Sequence, residues 1–190
     1  MNAMQLRHSA TVPFDKRYVD ATPARTLPSL RRPWYLKENL RVLAFGLLRV
    51  PLIGYVAPRV VELSDDRVVF RIRLRRRTRN HIGSMYCGVL CTGADVTAAS
   101  LAIRSIELAG QKMSLVFKDM SASFLRRAEG DTLFTCDDGP LIREMIAEVA
   151  TTSGRIERSV TVTAMCPSAS GAEPVARFTL TLSLKKAASR

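Results

Sequence analysis

From Tyr86 to Leu108 the chain holds a steady apolar content in which small residues recur: Gly88, Thr92, Gly93, Ala94, Ala98, Ala99 and Ala102. This composition predicts one long helix, with Gly110 as its C-terminal stop. A helix so slim can lie very close to a neighbour, either a curved sheet or a bound ligand. Its only carboxylate before Glu107 is Asp95. The rest of the chain has to supply what surrounds it.

The flanking segments alternate with the period of strands. RVVEL (59–63) and RVVFRIRLRRR (67–77) are joined by Ser64, Asp65 and Asp66, a polar connection that suits a hairpin. In the second segment Phe70, Ile72 and Leu74 point one way, and Arg71, Arg73 and Arg75 the other. One face is core and the other water, as in an antiparallel sheet covered by helix on one side. Residues 112–127 read as a long strand and 131–138 as a short one. Residues 139–154 read as a helix, with Pro140 just inside its start and Gly154 at its end. The strongly alternating stretches 155–167 and 175–186 form a hairpin through 168–173. A continuous antiparallel sheet wrapped around a central helix satisfies every segment, an α+β domain over 58–190.

Ahead of that domain, Leu36, Leu40, Leu43, Leu47 and Val50 recur at helical steps, and Pro51 is a natural stop. Apolar residues continue to Val56, so 33–57 is predicted as an N-terminal helical segment. Arg41, Arg49 and Arg59 break any run approaching the ~20 apolar residues of a membrane span. An apolar face with basic flanks suits packing over the domain or its partner, or contact with a membrane surface through residues 34–56. Residues 1–32 carry three prolines and no sustained periodicity, and are predicted to be a loosely ordered arm.

The net charge of +12 is unevenly placed: residues 1–79 hold 17 Lys or Arg against 6 Asp or Glu, which leaves 12 against 11 in the remainder. Such a half suits phosphates, anionic lipid or acidic ligands, or more plainly solubility and an arginine-guarded sheet edge. Specific nucleic-acid binding is disfavoured, because the arginines lack interleaved exposed aromatics and aromatic content is 6%. The four cysteines form no CxxC pair and no signal pattern precedes them, so a reduced, cytoplasmic protein is expected. Cys87 and Cys91 lie one helical turn apart without a companion ligand cluster, so neither metal nor cofactor is expected.

Asn80, Gly83, Gly88 and Asp95 carry a spacing of their own at the strand-to-helix junction. It resembles that of hotdog-fold acyl-CoA thioesterases of the phenylacetic-acid-pathway type and a related branch of bacterial hotdog proteins. Their pattern is an asparagine, a glycine three later, His-Gly-Gly, and an acidic residue seven after the last glycine. KDMSASFLRRAEGD (118–131) resembles the third strand of the same family. The resemblance implies a hotdog fold, a homodimer or dimer of dimers with the site at its interface, and hydrolysis of an acyl-CoA or acyl-carrier-protein thioester. It implies the backbone N–H of Cys87, beside Gly88, as oxyanion donor. Asp95 would activate water or attack directly, and Asn80 would orient water or carbonyl. The acyl chain would lie along the helix, with Gly83, His81, Arg76, Arg77 and Arg79 around the mouth for the carrier's phosphates. This chain departs from the pattern at Tyr86 (histidine in the family), at Cys87 (glycine) and at Phe117 (serine in some relatives). A tyrosine hydroxyl can replace the histidine's hydrogen bond. A non-catalytic acyl or fatty-acid binder that uses the slot without hydrolysis is the alternative. Each residue also has a structural reading: Asp95 pairs with a base or caps a loop of its neighbour, Asn80 shapes a turn and His81 is structural.

Overall fold

The computed structural model describes residues 35–152 and 154–187, so the arm expected over 1–32 lies outside the described residues. The elements run α1 (Leu36–Leu48), α2 (Pro51–Val56), β1 (Arg59–Leu63), β2 (Val68–Ile72), α3 (Cys87–Leu108), β3 (Met113–Phe124), β4 (Thr132–Cys136), α4 (Gly139–Thr151), β5 (Ile156–Met165), α5 (Pro167–Ser170) and β6 (Pro174–Lys186). The strands make a six-stranded sheet in the order β1-β2-β4-β5-β6-β3, and every pairing is antiparallel. With α3 packed against it, this is the hotdog fold.

The period-two alternation in the strands aims one face of the sheet at α3. Phe70 pairs with Phe134, Val162 with Phe178 and Val160 with Leu180, and all six side chains are buried. Gly93 shows why α3 must be slim: a Cβ there would stand 2.5 Å from the Phe134 ring, far inside van der Waals contact. Ile142, Met145, Ile146 and Val149 of α4 close the core beside α3.

β2 is shorter than the expected 67–77. Its ladder with β4 ends at Ile72 opposite Thr132, and the next inward-facing residue, Leu74, donates its N–H to the Asp131 carboxylate at 3.0 Å. The chain then tightens into a 3-10 turn over Arg76–Thr78, where the buried Thr78 hydroxyl accepts the Arg75 N–H at 2.8 Å. Alternating side chains continued past the point where the backbone lost its partner.

Pro51 ends α1 and also begins α2, because proline at the first helical position gives up an N–H that has no partner there. The two helices cross at glycines; a Cβ on Gly46 would lie 2.5 Å from the backbone nitrogen of Gly54. Asn39 fastens the hairpin to the sheet edge, its Oδ1 accepting the Val60 N–H at 2.9 Å. In consequence the leucine stripe of α1 faces outward. Leu36, Leu40, Leu43 and Leu47 are 67, 55, 44 and 64% exposed, so the stripe does not pack over the domain of its own chain.

Candidate functional site

The loop between the 3-10 turn and α3 is built around Asn80. Its side-chain oxygen accepts the N–H groups of Ile82 and Ser84, both at 3.1 Å, and its amide donates to the Ser84 hydroxyl at 2.9 Å. This is the local side-chain-to-backbone bonding that asparagine brings to turns. Gly83 sits at φ +89°, in the region that a Cβ disfavours. The loop is held from outside by Ala128, whose carbonyl accepts the Met85 N–H at 2.8 Å. The two motifs singled out in the sequence, around Asn80 and around Ala128–Asp131, are thus one hydrogen-bonded unit.

α3 begins at Cys87, with Tyr86 as its N-cap and no side chain capping it. Among the described residues the N–H groups of Cys87 and Gly88 have no acceptor, leaving free donors at the positive end of a 22-residue helix. The Tyr86 ring is half exposed and lies against Gly88, where a Cβ would come 2.6 Å from a ring carbon. Its main chain anchors the helix start, the N–H donating to the Thr78 carbonyl at 2.9 Å. Cys87 is exposed, and Cys91, one turn on, has its thiol pKa raised by burial and then by Cys87.

Asp95 lies further along α3 and lines a cavity of about 550 Å³. The walls come from α3 (Val96, Ala99, Ile103), β1 and β2 (Val60, Phe70) and β3 (Leu115, Phe117). Val42 and Phe45 of α1 and Ile53 of α2 form the roof. The Asp95 carboxylate has no hydrogen bond or ion pair among the described residues, and desolvation pushes its pKa above the ordinary value. A charged group in mostly apolar surroundings without a partner costs free energy. Glu38, Arg41, Arg104 and Glu107 add charge to the lining, and Arg104 is tied to Asp65 at 2.8 Å.

The remaining expected residues gather elsewhere. Arg76, Arg79, Asn80, His81 and Gly83 line a second, polar concavity of about 610 Å³ on the outside of the loop. Arg76 and Arg79 are exposed and form no ion pair among the described residues. Arg77 is directed differently, over the Tyr55 ring at 5.7 Å. Among the described residues no three His, Cys, Asp or Glu side chains converge in a way that could hold a metal ion. The sequence motifs did not reveal the cavity roof. The leucine spacing of α1 marks the outer face, and Val42 and Phe45 on the inner face carry no motif.

The family described as a domain of unknown function, DUF4442, matches residues 39–184, and the chain belongs to it. Its fold is shared with solved structures. One is a protein of unknown function from Pseudomonas aeruginosa that carries the description "probable thioesterase" (24% identity, TM-score 0.67, covering 79% of this chain and 96% of that one). Another, from Chlorobaculum tepidum, is of unknown function (10% identity, TM-score 0.70, 80% and 96% covered). A third is a thioesterase from Haemophilus influenzae (16% identity, TM-score 0.59, 83% and 96% covered). Among curated proteins none matches the chain significantly.

Proposed function

We propose that the protein is a thioesterase of the phenylacetic-acid-pathway type, hydrolysing acyl-CoA or acyl-carrier-protein thioesters with Asp95 as its base. The observation that carries this reading is the Asp95 carboxylate, without a partner among the described residues, in an otherwise mostly apolar cavity on the helix whose N-terminal N–H groups have no acceptor among those residues. Asp95 takes a proton from water as the water oxygen bonds to the thioester carbon. The carbonyl oxygen gains charge and accepts the Cys87 and Gly88 N–H groups. Collapse expels the thiolate, which takes up a proton, leaving a carboxylic acid and a free thiol. The two ends of this machinery lie eight residues apart on α3, about 12 Å along the axis, too far to serve one carbonyl within one subunit. A dimer in which Asp95 faces the α3 N-terminus of its partner brings them together. Arg76, Arg79 and His81 supply cationic and polar groups for the carrier's phosphates.

Release of free thiol from short, medium, long and aryl acyl-CoAs by the purified protein tests this reading. Asp95→Asn is expected to lower kcat/KM by about 10²–10⁴-fold, the range for loss of a general base. Equal turnover by wild type and variant across the panel removes Asp95 from the chemistry. The engagement of the Asn80 side chain within its own loop favours a second reading, an acyl-ligand binder. Thermal stabilisation by fatty acid or acyl-CoA without thiol release selects it.

A further inference from the structure

The α1–α2 hairpin exposes Leu36, Leu40, Leu43, Leu47, Leu48 and Leu52, the least exposed of them 44% accessible. Contiguous apolar surface of this kind marks a docking face on a globular protein. Lys37 and Arg49 are exposed beside it. The hairpin's one carboxylate, Glu38, lines the Asp95 cavity instead, as does Arg41. The outer face is therefore leucine flanked by Lys37 and Arg49 with no carboxylate of the hairpin on it, on the half of the chain that holds most of the +12 charge.

We infer that this face docks on the surface of an anionic lipid bilayer, with the leucines entering the headgroup boundary and the cations meeting lipid phosphates. Charge selects this occupant over a second copy of the chain. Two such faces brought together would set like charges against each other, with no acidic residue of the hairpin on that side to answer them. A basic-flanked apolar helix face is what an interfacial helix requires, and binding then draws on both buried apolar area and attraction to anionic lipid. The opposite face of α1 carries Val42 and Phe45 into the cavity roof. Docking accordingly sets the cavity one helix diameter, about 10 Å, from the lipid.

The full chain is sedimented with phosphatidylcholine vesicles and with vesicles containing phosphatidylglycerol. Co-sedimentation with the anionic vesicles is expected, weakening as salt is raised. Leu40→Gln with Leu47→Gln leaves every cation in place and is expected to lower the partition coefficient by about a hundredfold, roughly tenfold per leucine. Leu43→Gln with Leu52→Gln repeats the test should the first pair lower the melting temperature. Failure of wild type to sediment with anionic vesicles at low salt overturns the inference. Undiminished binding by both double variants does so too, since charge alone then suffices. A wild-type dimer that the leucine variants convert to monomer, with no vesicle binding in either, assigns the face to a second copy and overturns it as well.

Discussion

α1 is rich in leucine and α3 in alanine and other small apolar residues, and their surroundings are opposite. α1 has the cleaner helical spacing, yet its stripe at Leu36, Leu40, Leu43 and Leu47 meets solvent. α3 buries Val89, Leu90, Ala94, Val96, Ala98, Leu101, Ala102 and Ile106, positions spread around nearly its whole circumference. A helix that is apolar all round belongs inside, whereas a stripe states only that one face differs from the other. Which face turns inward depends on what anchors the helix. For α1 those anchors are Gly46 against Gly54 and Asn39 on the edge of β1, and they fix its rotation with the stripe outward.

Truncations in the two helices give the widest contrast. Leu101→Ala empties part of the fully buried core and is expected to cost about 2–5 kcal/mol. At ~2–4 °C per kcal/mol for a chain of this size, thermal unfolding reads that as a drop of roughly 4–20 °C. A loss under about 1 kcal/mol contradicts the central place of α3.

Next in size is Asp95, the exception on the buried helix. Its folded pKa lies above the ordinary 3.8, so the folded state favours the protonated form and the cost of the charge appears as pH rises. That cost is absent below 3.8, grows through the window up to the raised value and is complete beyond it. Asp95→Asn is therefore expected to stabilise the protein at neutral pH by about 1 kcal/mol, a figure held low because the group is only partly buried. The gain should vanish in melts taken below the window. In the proposed reaction the acid limb of kcat/KM follows the same group, with its midpoint above 3.8. A variant no more stable than wild type at neutral pH means that Asp95 has a partner.

The smallest effect belongs to α1. Leu43→Gln is expected to change stability by no more than about 0.5 kcal/mol, as for other surface positions. A loss comparable to that of Leu101→Ala in dilute solution shows that the stripe is covered.

Much of the candidate site was legible because its signals are local. Gly83 stands where the loop needs a positive φ, and Asn80 where a turn needs a short polar side chain to bond its own backbone. Asp95 stands out in the sequence as a lone carboxylate among small residues, and it has no partner among the described residues. Phe117, which in the sequence marks only the lack of a serine, is part of the cavity wall beside Leu115. Val42 and Phe45 could not be found in this way, because a roof exists only once α1 has been laid across β1 and α3.

Taken alone, the order of residues determined the alternating strands, the slim central helix, the hairpins and the loop chemistry, all set by side-chain period and backbone preference within a few residues. Three features waited for tertiary structure. Leu74 continues the alternation of β2 but gives its N–H to Asp131, so the strand ends early. Arg77 turns toward Tyr55 and away from the concavity that Arg76 and Arg79 line. The leucines of α1 face outward because two glycines and one asparagine, distant along the chain from what they touch, set the helix's rotation. Each depends on a contact between residues far apart in sequence, which no local pattern encodes.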